Sequence, residues 1–424
     1  MNRLVVLGAG TAGTMVVNKL RRRLPGHEWS ITVVDPATEH HYQPGYLFIP
    51  FGTYTPDQVT RPLRPTITRG VELVQAEVHR VDTGARLIHL VDGTTLDYDW
   101  LVIATGTTPR PEETPGLAEG LGTSVHEFYT LAGATALADA LKHFTGGRLV
   151  VHVTEMPIKC PVAPLEFAFL ADDHFTRRGI RDQVEITYVT PLPGAFTKPV
   201  SAELLGDMLA RRGITLEPDF VVESIDPGAR TLTSYDERTL EFDLLVTVPV
   251  NMGADFISRS GLGDELGYVP VDKHTLLAKA DDRIFVVGDA GDAPASKAGS
   301  VAHFQVDLFV HNFLDHVAGR PMTEDFDGHA NCFVESGGGK ALLIDFNYDT
   351  EPLPGSYPLP VVGPMQLLKE SRLNHAGKLA FRWLYWHMLL PGRRLPVPTR
   401  MSMTGKRRPS ALQSAEPGVR TPDF

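Results

Sequence analysis

Three glycines, Gly8, Gly10 and Gly13, fall within six residues, directly after an apolar run at 4–7 and directly before an amphipathic stretch at 14–24. A Gly-x-Gly-x-x-Gly interval is a weak signal alone. A strand before it, a helix after it and an acidic residue about 20 positions on turn it into the front of a βαβ unit that holds a dinucleotide. Asp35, at the end of a second apolar run at 31–34, supplies the acid. Gly8 permits the tight turn, Gly10 lets the backbone approach a pyrophosphate, and Gly13 lets helix and strand pack closely. The helix N-terminus attracts the phosphates, and Asp35 is placed to accept hydrogen bonds from ribose hydroxyls.

Apolar periodicity extends the reading along the chain. Paired strands are expected at 73–81 and 86–90, and a buried strand at 100–104. A second α/β pattern follows, with strands at 149–153, 184–189 and 244–248 and helices near 132–144, 164–177 and 202–211. A strand at 283–287 and a long helix at 300–317 complete it. The fold class is therefore α/β, with two Rossmann-like domains and a C-terminal amphipathic helical segment. The proline-rich stretch 352–364 reads as a linker and 409–424 as a mobile tail.

Two distant segments refine the nucleotide. Ala104-Thr105-Gly106 and the run 286–290, which contains Gly288-Asp289, resemble, with the N-terminal loop, the three FAD signatures of the two-dinucleotide-binding-domain flavoproteins. That resemblance implies FAD, with Asp289 on the ribityl chain. It also implies Lys297 at the pyrimidine edge of the flavin, against the alternative of a solvated loop lysine. NAD(P)H-using members repeat a glycine-rich loop after the first strand of the second domain. Here no glycine lies between Gly147 and Gly179, and a loop with three prolines does not let a pyrophosphate reach the backbone.

A cysteine stands in that loop. Cys160 follows Lys159 and precedes a helix beginning near Pro164, and both a cation and a helix N-terminus are expected to lower a thiol pKa. The Lys-Cys-Pro-x-Ala-Pro-x-Glu stretch resembles the sulfide:quinone oxidoreductases and the flavin subunits of sulfide dehydrogenases. The resemblance spans roughly residues 1–392. It implies a redox pair of Cys160 and Cys332, a bridge that sulfide opens before two electrons pass to FAD and then to a membrane quinone. Which cysteine faces the flavin stays open. Glu166 is either the proton acceptor or an acid satisfying its helix dipole. The stretch 124–130, where many members carry a third cysteine, has none.

On this reading residues 1–110 and 250–325 form the FAD domain, and 111–249 a second domain without a phosphate loop. Residues 326–392 form the quinone and membrane contact, and 393–424 a basic mobile tail. The alternatives are a flavin-thiol redox sensor without turnover, a sulfide dehydrogenase with a cytochrome acceptor, and a type II NADH:quinone oxidoreductase.

Charge supports the membrane part. Net charge is −11, yet residues 365–408 carry ten Lys or Arg against the single acid Glu370, while residues 1–364 carry −19. A basic segment rich in Leu and aromatics, including Trp383 and Trp386, suits an anionic membrane surface, with Lys369, Arg372, Lys378 and Arg382 as its cations; packing on its own domain or on a second copy is the alternative. A peripheral membrane protein on the cytoplasmic side is expected, since no signal segment precedes the first strand. Neither a metal nor a nucleic-acid partner is expected, and a homo-oligomer stays open. Two cysteines in 424 residues exclude a disulfide-rich secreted framework.

Overall fold

The computed structural model describes residues 1–358, 363–395 and 397–407. Strand β1 (Asn2–Leu7) leads through the glycine turn into α1 (Thr11–Leu20), and β2 (Trp29–Val34) follows. With β3 (Glu72–Val74), β4 (Trp100–Ile103) and, much later, Ile284–Val286, they form a parallel sheet. Val6, Val33 and Val102 are fully buried, as expected of parallel strands covered on both faces. The strand expected at 73–81 is two elements. Residues 72–74 join the parallel sheet, and Val78–Asp82 turns away to pair antiparallel with Leu87–Leu90. Apolar periodicity does not report which sheet a strand enters.

The second unit contains β5 (Val125–His126), α2 (Leu131–His143), β6 (Gly147–Val153), α3 (Ala163–Arg177), β7 (Val184–Val189), α4 (Pro199–Arg211), β8 (Ile214–Glu217) and β9 (Leu244–Val248). Its parallel sheet has the order β5-β9-β6-β7-β8. The chain then returns to the first sheet with β10 (Ile284–Val286), which pairs with β4, and continues in α5 (Gly299–Val317). Most strands of the two Rossmann-like units lie within two residues of where periodicity places them, while α1 is observed at 11–20 against 14–24 expected and α4 begins three residues early, at Pro199.

The C-terminal region departs further from expectation. It opens with a hairpin, β11 (Ala330–Gly337) and β12 (Lys340–Phe346), to which β13 (Gly355–Tyr357) and β14 (Met365–Leu367) add. Residues 365–367, expected at the start of an interfacial helix, are therefore strand, paired with both β12 and β13. The helix proper is α6 (Arg372–Leu384), capped by the Ser371 side chain and continued by one π turn, Tyr385–Leu389. Part of the expected linker, 355–357, is likewise strand, while residues 359–362 lie outside the described residues. Of the expected tail, residues 399–407 are tied to the body: Met401 N–H donates to Asp327, and Lys406 forms a buried 2.5 Å ion pair with Asp345. Residues 408–424 lie outside the described residues.

One apolar core runs without a break from Val6 and Val33 through Phe128, Phe167 and Val151 to Val334 and Ile344. The three regions thus pack as a unit, and the principal cavity lies where they meet.

Candidate active site

The β1–α1 turn opens onto a cavity of about 770 Å3 that continues past Ala104–Gly106, Gly288 and Asp289 to both cysteines. The glycines earn their places by distance. A Cβ on Gly8 would stand 2.6 Å from the Ala104 carbonyl oxygen, and one on Gly13 would stand 1.8 Å from that of Gly8. At Gly10 nothing lies within 4 Å, so the bare backbone is left facing open space, the cradle a pyrophosphate needs. Asp35 accepts the Ala9 N–H at 2.6 Å and the Ala37 N–H at 2.8 Å, which fixes its carboxylate beside the cavity with lone pairs to spare.

At the other end, burial pushes the Asp289 carboxyl up while Lys297 and Lys159 pull it down. The buried Thr105 hydroxyl and both ring nitrogens of His303 line the same cavity and have no hydrogen-bond partner among the described residues. Unpaired buried polar groups facing a cavity are what a polar ligand would satisfy. This donor and acceptor set fits FAD. Lys297 is buried rather than solvated: its ammonium donates to the carbonyls of Asp289 (2.8 Å) and Gly291 (2.9 Å) and lies 3.8 Å from the Tyr268 ring centroid. Burial lowers its pKa to about 8.

The loop after β6 does something other than cradle phosphate. Thr154 holds its start to β9 through the Val248 carbonyl. The loop then crosses to the first unit, where Lys159 N–H donates to Asn251 and Cys160 N–H donates to the Lys297 carbonyl at 2.6 Å. Cys160 itself sits at φ +50°, a left-handed conformation that non-glycine residues seldom adopt, and the Tyr129 hydroxyl donates to its carbonyl at 3.2 Å. The segment that would bind a second nucleotide is thus a strap that carries a cysteine into the cavity.

Cys332, on β11, lines the same cavity, and both cysteines are free thiols. The expectation of a lowered Cys160 pKa is overturned. Burial pushes this thiol well up, the Glu166 carboxylate pushes it further, and Lys378 only partly offsets them. Lys159 does not act as foreseen because its ammonium is turned to Gln43, at 3.0 Å. Cys332 is pushed up to about 12, again by burial first and Glu166 second.

Glu166 sits fully buried in the first turn of α3. One carboxylate oxygen accepts the Glu335 N–H at 2.6 Å and pairs with the Lys378 ammonium; the other has no partner among the described residues. Burial raises its pKa. Lys378, expected among the lipid-facing cations, is instead an interior residue. Burial works to lower its pKa, and Glu166 and Glu335 outweigh that, leaving the ammonium above its usual value. Arg382 is likewise folded back, 4.3 Å from the Tyr54 ring centroid.

The sequence pattern of the pyridine nucleotide-disulphide oxidoreductases matches residues 2–305. The chain belongs to that family. As a pyridine nucleotide-disulphide oxidoreductase it is an FAD-dependent enzyme, and the cradle described above fits that cofactor. The mitochondrial sulfide:quinone oxidoreductase of Dictyostelium discoideum is 26% identical, over 93% of this chain and 87% of its own. A type II NADH:quinone oxidoreductase of Staphylococcus aureus is 34% identical, over 81% and 90%. The crystal structure of the Aquifex aeolicus sulfide:quinone oxidoreductase superposes with a TM-score of 0.78 at 20% identity, covering 93% of this chain and 92% of that one, so the two share a fold.

Several residues around the cavity of this family member were not legible in the sequence as such. Lys378 and Tyr129 line it and Glu335 stands behind Glu166; they come from α6, the connection before α2 and β11, and no spacing rule connects them. His40, five positions after Asp35, carried no motif of its own; it hydrogen-bonds the Ala9 carbonyl at 3.1 Å and the Tyr385 hydroxyl at 2.6 Å, tying the phosphate loop to the C-terminal π turn.

Proposed function

We propose that this enzyme oxidises sulfide at Cys160 and Cys332 and delivers two electrons through FAD to a membrane quinone. The observation that carries this reading is the replacement of the second phosphate loop by a strap whose Cys160 lines the same cavity as Cys332, 172 positions away in sequence. Gly8, Gly10, Gly13 and Asp35 would hold the dinucleotide, with Ala104, Thr105, Gly106, Gly288 and Asp289 along the flavin half. Lys297 would complete the floor. When bound, FAD supplies a two-electron acceptor beside the sulfurs.

The raised pKa values give the pair its working direction. A thiol that resists ionisation is a poor nucleophile, so the cysteines serve best as an oxidised bridge that hydrosulfide attacks. Glu166, protonated more readily than an ordinary carboxyl, would accept the proton released as sulfide is oxidised. Lys378 would balance negative charge that appears on a displaced sulfur. Beyond the cysteines the cavity is lined by Phe333, Met365, Phe381, Leu384, Leu395 and Val397, an apolar passage suited to a quinone ring and tail. It ends at α6, whose outward residues Leu373 and Trp383 are exposed. No helix among the described residues is long and apolar enough to cross a membrane. Association through this face is the contact the reading requires.

The second reading, NADH oxidation, is favoured by the 34% identity to the staphylococcal enzyme. Anaerobic titration with sulfide and, separately, with NADH decides between them by flavin absorbance. Bleaching by sulfide, lost in Cys160→Ser and Cys332→Ser, is expected; bleaching by NADH alone overturns the proposal.

A further inference from the structure

Four ionisable side chains from three elements form one buried cluster at the cavity wall. Glu166 comes from α3, Glu335 from β11, and His375 and Lys378 from α6. Glu166 and Glu335 side chains are each 1% exposed and Lys378 12%, whereas His375 is 28% exposed. The cluster therefore runs from cavity to surface in one direction. Its contacts follow the same order. The His375 Nδ1 hydrogen-bonds both Glu335 carboxylate oxygens, at 3.0 and 2.9 Å. The Glu335 backbone N–H holds Glu166, and the Lys378 ammonium pairs with Glu166 while feeling the charge of Glu335. At the inner end Glu166 lines the cavity with an oxygen that no described residue satisfies.

Two buried carboxylates against one buried ammonium leave the interior one negative charge in excess, a costly arrangement in a low-dielectric setting. The cluster joins a partly exposed imidazole to a cavity-lining carboxylate through side chains that can each carry a proton.

We propose that His375 and Glu335 are the solvent-side half of a proton path, with Lys378 and Glu166 as its inner half. The proposal rests on the reading of the enzyme as a sulfide:quinone oxidoreductase, and the stoichiometry of that reaction creates the need. Hydrosulfide, HS−, inserts its sulfur into the cysteine bridge and releases two electrons and one proton. The two electrons reduce a quinone to a quinol, which takes two protons. One proton per turnover is therefore missing and must be drawn from water. His375 takes it up at the surface and passes it to Glu335. Glu335, whose backbone N–H holds Glu166, passes the proton inward to Glu166, and the Lys378 ammonium, paired with Glu166 and within the field of Glu335, holds the charge of whichever carboxylate is ionised. His375 and Glu335 touch neither sulfur nor cofactor and are positioning and relay groups.

The test separates this path from the identity of the electron donor. FAD-loaded protein is reduced with dithionite, freed of excess reductant and mixed with a short-chain quinone in a stopped-flow instrument, in H2O and in D2O. His375→Ala and the isosteric Glu335→Gln are expected to slow flavin reoxidation on the order of 10²-fold, with an enlarged solvent isotope effect. Added imidazole is expected to restore His375→Ala and to leave Glu335→Gln slow. Unchanged reoxidation in both variants overturns the path, as does slowing with neither an enlarged isotope effect nor rescue by imidazole, which is the signature of a structural role. Sulfide is absent from this measurement. A wild-type flavin that sulfide fails to bleach would overturn the donor assignment, and reoxidation would still decide the path; a reduced wild-type flavin that ignores quinone would overturn the path and the acceptor assignment together.

Discussion

At the scale of single residues, the cation that acts on the two cysteines is Lys378, not Lys159. Lys159 adjoins Cys160 in sequence, and adjacency is all that a linear reading can use. The strap turns its side chain to Gln43, and a lysine 219 positions downstream takes its place beside Glu166. The same linear view made Lys378 a lipid-facing cation, because a basic residue on an amphipathic helix is usually at the surface. Burial of the pair has a measurable consequence. Lys378→Met removes the only cation paired with Glu166 among the described residues, and stranding a buried carboxylate costs about 3–5 kcal/mol. Urea unfolding is expected to show a loss of that order. The double variant Glu166→Gln, Lys378→Met is expected to recover most of it; equal losses in single and double variants would show that the lysine contributes by packing alone.

At the scale of elements, α6 has one face inward and one outward. Asn374 is fully buried and donates to the carbonyls of Ala341 (3.1 Å) and Gln366 (2.8 Å), which locks the helix to the C-terminal sheet. Leu373, Ala376, Ala380 and Trp383 recur at intervals of three and four and are exposed, a stripe along one side of the helix. If this stripe is the membrane contact, Leu373→Ser with Trp383→Ser is expected to reduce cosedimentation with anionic vesicles by about tenfold or more, since each loses apolar burial worth about 1.5–3 kcal/mol. Retained cosedimentation would assign the stripe to another surface. The elements of both Rossmann-like units were legible because periodicity, glycine chemistry and buried strands all agree there. The C-terminal strands were not. Residues 355–357 and 365–367 are three-residue strands next to prolines, too short to show a period; 365–367 pairs with β12, which lies outside its own stretch of sequence, and 355–357 pairs in turn with 365–367.

For the molecule as a whole, three buried histidines are held neutral, His152 within the second sheet and His40 and His303 beside the cavity. Burial lowers His40 to about 4, His152 to about 3 and His303 to about 4, and each is at most 4% exposed. In the unfolded chain each would take up a proton near the ordinary value of about 6.5. Below that value the unfolded state binds more protons than the folded one, so stability falls as pH falls. The stability these groups confer is fully present above about 6.5 and is lost progressively as pH drops toward the folded values near 4 and 3. Each histidine contributes a slope of at most about 1.4 kcal/mol per pH unit. Urea midpoints are therefore expected to be level between pH 8 and 7 as far as these groups are concerned, and to decline steeply from pH 6 to 5. His152 allows the attribution to be checked, because it lies in β6, at the centre of the second sheet, and its Nδ1 hydrogen-bonds the Thr247 hydroxyl at 3.0 Å, remote from the sulfur cluster. His152→Asn keeps a polar partner for Thr247 and removes one titrating ring, so the decline between pH 6 and 5 is expected to become shallower by about one third. An unchanged slope in that variant would mean that the acid sensitivity of the fold arises elsewhere.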